Sequence, residues 1–187
     1  MAKKAYIFLA EGFEESEALV PYDILVRGGV DVTLVSISNS TMVTSAHHVT
    51  VVAHTTLFDI HAIDGLANAD LLMLPGGMPG STNLCHCQML RDELLTANKS
   101  GKMLAAICAA PFVLGSLGLL KGKQATCYPG FEKELEGATA TGEQVVVDGN
   151  IVTGIGAGAA AEFGLTLLSL LTSDKEAEAV KQMIIMK

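Results

Sequence analysis

Tyr6-Ile7-Phe8-Leu9-Ala10, then Ser16-Glu17-Ala18-Leu19-Val20-Pro21-Tyr22-Asp23-Ile24-Leu25-Val26-Arg27, then Val30-Asp31-Val32-Thr33-Leu34-Val35-Ser36: this opening decides the fold. The first run is nearly all apolar and stops at Glu11-Gly12, the pattern of a strand covered on both faces. The second has helical spacing, with Pro21 tolerable near its start and Gly28-Gly29 closing it. The third reads as another strand. Together they predict a βαβ unit.

The same plan recurs downstream. Asp70-Leu71-Leu72-Met73-Leu74 is an apolar strand ending at Pro75-Gly76-Gly77, and a helix follows with Leu84, Cys87, Leu90 and Leu94 on one face. Met103-Leu104-Ala105-Ala106-Ile107 repeats it, running into Cys108 and a helix through Leu117. Gln144 to Val147 and Ile151 to Thr153 form a hairpin around Asp148-Gly149-Asn150. A glycine-spaced loop, Gly154 to Gly158, leads to a helix from Ala160 to Leu171, and a last helix is expected from Asp174 to Met186. The segment from Val43 to Leu57, rich in Thr and Val, reads as a strand pair set off from the main sheet. The alternation predicts an α/β, doubly wound sandwich: a mostly parallel sheet with helices on both faces, in one domain spanning 1–187.

Composition narrows the function. Of 187 residues, half are hydrophobic, and 12 basic against 20 acidic residues give a net charge of -8. Nucleic acid is disfavoured as a partner, because phosphate binding needs clustered Lys and Arg. The apolar runs are far shorter than the ~20 residues of a membrane span or are broken, so no membrane association is expected. Four cysteines and a start without a secretion signal predict free thiols in a reducing, cytoplasmic setting.

Three apolar strands end in unusual residues: Gly12-Phe13-Glu14-Glu15-Ser16-Glu17, Pro75-Gly76-Gly77 and Ala106-Ile107-Cys108-Ala109-Ala110-Pro111. In a parallel sheet these ends share an edge, which brings a carboxylate, a bare backbone turn and a thiol together. Cys108, at a strand-to-helix turn, is the candidate nucleophile, and the following helix N-terminus is expected to lower its pKa. The backbone N–H groups of Ala109 and Gly77 would face a developing oxyanion. The bland alternative for Cys108 is a small apolar core residue. Glu17 reads either as a helix-start acid or as a carboxyl beside Cys108. In the second case its pKa should rise and a proton be shared between the two groups.

Other motifs carry less. Cys85-His86-Cys87 is tighter than zinc spacing and lacks a second ligand pair, so no metal is expected. His47-His48 would point to opposite faces of a strand. The series Gly154-Ile155-Gly156-Ala157-Gly158 looks like a dinucleotide loop but lacks the acidic residue after a following strand, so close backbone packing is expected instead, and no cofactor.

Ala-Glu-Gly-Phe-Glu-Glu-Ser-Glu at 10–17, Leu-Pro-Gly-Gly at 74–77, Ala-Ala-Ile-Cys-Ala-Ala-Pro at 105–111 and the glycine-rich start of the penultimate helix are similar to the ThiJ/PfpI superfamily. The resemblance covers the whole chain and is strongest to the branch of the Parkinsonism-associated deglycase and its bacterial relatives. It implies a flavodoxin-like fold of the class I glutamine amidotransferase kind and a homodimer. It also implies an oxidation-prone nucleophile at Cys108, a protonated carboxyl at Glu17, and oxyanion donors at Gly77 and Ala109. Gly76, Tyr128, His47 and Arg27 are further expected site-lining residues. The chain departs from the family pattern where a histidine is common near the nucleophile, carrying Tyr128 instead. Ala109 stands where the peptidase branch has histidine, and an arginine common near the site maps near His47.

The resulting expectation is a cofactor-independent cysteine enzyme of reactive-carbonyl defence, of glyoxalase or deglycase type. Its substrate would be a small reactive carbonyl such as methylglyoxal, or a glycated thiol or amine, and it would not act as a peptidase. The alternative is a redox-sensing or chaperone-like oxidative-stress protein without turnover, in which Cys108 is oxidised to sulfinate.

Overall fold

The first strand, β1 (Lys4–Leu9), lies at the centre of a seven-stranded sheet and divides the core in two. The structure, a computed structural model, describes residues 2–186. Because successive strand residues point to opposite faces, Ala5, Ile7 and Leu9 enter one core and Tyr6 and Phe8 the other.

The chain continues through α1 (Glu15–Arg27), β2 (Asp31–Ser36), β3 (Met42–Thr44), β4 (Thr50–Val52), β5 (Thr55–Thr56), α2 (Leu57–Ala62) and β6 (Leu71–Leu74). Then come α3 (Gly80–His86), α4 (Gln88–Lys99), β7 (Met103–Ile107), α5 (Pro111–Ser116), β8 (Gln124–Ala125) and β9 (Thr139–Ala140). The last elements are β10 (Val145–Asp148), β11 (Ile151–Gly154), α6 (Ala160–Leu171) and α7 (Asp174–Met183). The main sheet has the order β10-β11-β7-β6-β1-β2-β5, parallel except for β10 at one edge. Helices α1, α6 and α7 cover one face, through Ile24, Leu25, Phe163, Leu167 and Val180. Helices α2 to α5 cover the other, through Leu57, Leu84, Leu94 and Val113. The fold is the doubly wound α/β sandwich that the strand-helix alternation predicts, of the flavodoxin-like kind that the resemblance implies. Among the described residues, no helix is long and apolar enough to cross a membrane.

Several boundaries differ from the sequence reading. The helix expected through Leu84, Cys87, Leu90 and Leu94 is two helices, α3 and α4, broken where Cys87 takes an extended conformation. The expected strand pair is present as the β3/β4 hairpin, but its tail does something else. Thr55-Thr56 joins the main sheet beside β2, and Thr56 then caps α2 by accepting the Asp59 N–H at 3.1 Å. His47 and His48 sit in a turn, with His48 at φ 66°, so strand alternation does not govern them. The helix after Cys108 starts only at Pro111 and has six residues, while α7 stops at Met183.

Chain order places the site. From β1 the chain moves to β2 on one side, while β6 and β7 lie on the other. At such a switch point the loops leaving the carboxyl ends of the strands diverge and leave a crevice. The segments after β1, β6 and β7 all open into it.

Candidate functional site around Cys108

After β1 the chain turns at Gly12, with φ 81°, where a Cβ would come within 2.4 Å of the Pro79 ring. A glycine is therefore required there. Glu14 then caps α1: its Oε2 accepts the Glu17 N–H at 2.7 Å and the Ser16 hydroxyl at 2.6 Å. This cap sets the first turn so that Glu17 points inward, only 1% exposed. Its Oε2 accepts the N–H of Gly76 at 2.9 Å, Oε1 is buried without a partner, and the carboxyl faces the Cys108 thiol.

The turn after β6 supplies the floor. Gly76 is pinned by the Glu14 N–H, which donates to its carbonyl at 2.9 Å. A Cβ on Gly76 would lie 2.5 Å from Glu17 Oε2 and 2.7 Å from Cys108 Cβ, so this glycine lets acid and thiol meet.

After β7 the backbone of Cys108 adopts φ 65°, a left-handed conformation that costs a non-glycine residue about 1–3 kcal/mol. Two hydrogen bonds hold it there: the Cys108 N–H donates to Gly154 O at 2.9 Å, and the Tyr128 N–H donates to Cys108 O at 2.8 Å. The sharp turn leaves the side chain half-buried, with the N–H groups of Ala109 and Gly77 directed at its sulfur.

Burial pushes the Glu17 carboxyl up to about 7, helped by the charge of Glu14, against the Cys108 thiol and the Gly76 N–H, which pull it down. Burial also pushes the Cys108 thiol up to about 12, and ionised Glu17 adds to this, opposed by the Ala109 and Gly77 N–H groups. The expected lowering by a helix N-terminus is thus overturned. Helix α5 begins three residues further on and is less than two turns long, too weak to offset burial and a neighbouring carboxylate. The two values belong to the pair. Between those two values the pair holds one proton and one negative charge: the charge rests on Glu17, and it reaches the sulfur, facing two N–H donors, when the proton passes to the carboxyl.

The other expected residues are placed unequally. Tyr128 lies beside the elbow through its backbone, with its side chain 52% exposed. His47 is one layer out, its Nδ1 2.9 Å from Glu15 Oε1, in a loop tied to the Glu motif by the Ala46 N–H donating to Phe13 O at 2.8 Å. Arg27 is not brought to the site. It lies ten residues along α1 from Glu17, about 15 Å at 1.5 Å per residue, exposed and paired with Asp23 at 2.7 Å. Cys85 and Cys87 are half-buried and Cys127 is buried. Cys85-His86-Cys87 does not assemble as a ligand set. Among the described residues the one such grouping is Glu14, Glu15 and His47, within 4.8 Å of one another, in which Glu14 already caps α1 and Glu15 holds His47.

Two positions escaped the sequence reading. Glu14 orients Glu17, and its signal was an acid three residues before a helical acid, the spacing of a cap to the N3 position. Gly154, legible only as the start of a glycine series suited to close backbone packing, supplies the carbonyl that holds Cys108, a contact that depends on β11 pairing with β7.

A parallel α/β sandwich with a left-handed cysteine at a strand end and a buried carboxyl facing it defines a flavodoxin-like protein of the cysteine-elbow class. The chain belongs to the DJ-1/PfpI family, whose sequence model matches residues 3–170. It is 42% identical over 187 residues to Protein DJ-1 homolog B of Arabidopsis thaliana, covering 99% of this chain and 42% of that one. The chain thus spans less than half the length of that plant relative. It is 32% identical to a Caenorhabditis elegans protein named a glutathione-independent glyoxalase, covering 95% of this chain and 94% of that one. Among solved structures, oxidised Toxoplasma gondii DJ-1 superposes with a TM-score of 0.93 at 31% identity, covering 98% of each chain.

Proposed function

We propose that this protein is a cytoplasmic, cofactor-independent glyoxalase or deglycase that destroys reactive carbonyls, with Cys108 as nucleophile and Glu17 as proton carrier. The observation that carries this reading is the Glu17–Cys108 pair, which holds one proton next to a sulfur faced by two N–H groups. Kinship with a relative named a glyoxalase supports it.

On methylglyoxal the Cys108 sulfur adds to the aldehyde carbon, and Glu17 gives its proton to the aldehyde oxygen, forming a hemithioacetal. The Glu17 carboxylate then removes the proton from that carbon to give an enediolate, the hydroxyl proton passes from the first oxygen to the second, and Glu17 returns its proton to the adjacent carbon. This leaves a lactoyl thioester, which water hydrolyses to lactate and free thiol. The Gly77 and Ala109 N–H groups stabilise the oxyanions, and a carboxyl ionising near neutrality can both give and take a proton. In a glycated thiol or amine, the Cys108 sulfur would instead displace the thiol or amine from the former aldehyde carbon, the old C–S or C–N bond breaking as the group leaves with the Glu17 proton.

Self-association belongs to the same proposal. Met42 and Val52, directly paired across the β3/β4 hairpin, are 59% and 66% exposed, an apolar pair suited to covering by a second copy. Sedimentation should give twice the 19.5 kDa chain mass, and a monomer at micromolar concentration would contradict this. The rival reading, a redox sensor oxidised at Cys108, is favoured by the half-exposed thiol and by the oxidised state of the Toxoplasma neighbour. Lactate release from methylglyoxal by the wild type and by Cys108→Ser separates the two. Turnover lost in the variant supports the enzyme, and no wild-type turnover with clean sulfinate formation under mild peroxide supports the sensor.

A further inference from the structure

A cleft of about 310 Å³, bounded by Met78, Thr82, Phe112, Gly130, Phe131 and Glu134, lies outside the pair described above. Its walls are tied to the elbow from three directions. Met78 directly follows Gly77, whose N–H points at the Cys108 sulfur. The Phe112 N–H donates to Ala109 O at 3.1 Å, one residue past the thiol. The Phe131 N–H donates to Tyr128 O at 3.0 Å, and Tyr128 in turn holds the Cys108 carbonyl.

The lining has a definite chemistry. The Phe112 and Phe131 rings lie with centroids 6.5 Å apart and planes tilted by 35°, within the range of aromatic pairs. Met78, half-exposed, presents a thioether that the Thr82 hydroxyl holds at 3.8 Å. Sulfur and ring edges of this kind suit an aromatic guest. The one charge at the wall is Glu134, a carboxylate, which disfavours an anionic guest. A volume near 300 Å³ is at the small end of ligand pockets, enough for one ring, whereas a methyl group would leave most of it wet.

We infer that this cleft is the subsite for the carbonyl substituent, and that the preferred substrates are neutral α-oxoaldehydes bearing an aryl group. This rests on the aldehyde chemistry proposed at Cys108: with the sulfur bonded to the aldehyde carbon, the group on the adjacent carbon needs an apolar place beside the elbow. The substituent then contributes binding at Met78, Phe112 and Phe131 while Glu17 moves the protons.

The test compares kcat/KM for phenylglyoxal, read as mandelate release, with that for methylglyoxal, read as lactate release, in wild type, Met78→Gln and Met78→Leu. Intrinsic electrophilicity is the same for every variant, so the change in the ratio between variants reads the cleft. Met78→Gln should lower the aryl-to-methyl ratio about tenfold, mainly through KM, as expected for one apolar contact in a specificity pocket. Met78→Leu should restore it. A ratio unmoved by Met78→Gln overturns the inference. A second readout needs no turnover: alkylation of Cys108 by 2-bromoacetophenone, in which a C–S bond forms as bromide leaves, against alkylation by bromoacetone. Saturation by the aryl reagent in the wild type, shifted about tenfold upward by Met78→Gln, supports the subsite even if no aldehyde is turned over, in which case only the glyoxalase reading fails. Turnover without either difference retains that reading and removes the subsite.

Discussion

Replacing Glu17 by glutamine should make the protein more stable near neutral pH while removing its proton chemistry. The side chain is 1% exposed, and one of its oxygens lacks an oxygen or nitrogen partner, so its ionised form is costly in place. Burial, the largest cause, takes its pKa from 4.5 to about 7. Below pH 4.5 the carboxyl is protonated in folded and unfolded chains, and native stability is complete in this respect. Between 4.5 and about 7 the unfolded chain ionises first, so stability falls as pH rises, and the loss is complete above the folded value. At 1.36 kcal/mol per pKa unit, the loss is about 3 kcal/mol. For a chain of this size that is roughly 6–12 °C in Tm. Glutamine fills the same volume, its carbonyl still accepts the Gly76 N–H, and its amide faces the sulfur without a charge to bury. Denaturant unfolding of wild type and Glu17→Gln from pH 4.5 to 8 should give curves that nearly coincide at the acid end and separate by about 3 kcal/mol at pH 8. Asp70 and Asp148, acids held below their usual range by hydrogen bonds and lysines, destabilise as pH falls, but equally in both proteins, so they cancel. Parallel profiles across the window would refute the reasoning.

Gly76→Ala places a methyl group between Glu17 and Cys108 and against the Ile107 carbonyl at 3.0 Å, so it should cost about 1–3 kcal/mol in stability and at least tenfold in carbonyl turnover, measured by unfolding and lactate release. Peptidase activity should be negligible, because Ala109 and Tyr128 stand where a histidine would serve the thiol and His47 is held by Glu15 one layer out, leaving buried Glu17 to serve thiol and leaving amine alike. Casein cleavage abolished by Cys108→Ser would contradict this. At pH 8, limiting iodoacetamide should label Cys108 before Cys85, Cys87 and Cys127, because Glu17 can take the Cys108 proton as the sulfur attacks and two N–H groups face that sulfur, whereas Cys127 is buried. Faster labelling of another cysteine, seen by peptide mass spectrometry, would deny Cys108 its place.

Most of the sheet was legible because apolar runs such as Tyr6 to Ala10 and Leu71 to Leu74 carry their burial in local composition, and Gly-Pro punctuation ends them. Cys108 and Glu17 were legible as strand-end residues of one parallel edge. What local pattern missed depends on contacts far apart in sequence. Helical periodicity runs through Cys87 without registering the break, because both helices bury their leucines in the same core. Thr56 reads as a strand residue alone, and the structure uses it both as a strand residue and as the cap of α2, a helix that the Thr- and Val-rich run conceals. The direction of the Cys108 shift turned on where the next helix starts and how deeply Glu17 is buried, neither of which spacing reveals. Arg27 shares a helix with Glu17 but faces solvent at its far end.

The central claim is that Cys108 adds to the carbonyl and Glu17 moves the proton, and intact-mass spectrometry of Glu17→Gln with methylglyoxal tests it most directly. The variant should accumulate one methylglyoxal adduct on Cys108 and release almost no lactate, whereas the wild type releases lactate without accumulating the adduct. Lactate release by Glu17→Gln at the wild-type rate, or an adduct carried by a different cysteine, would contradict the account.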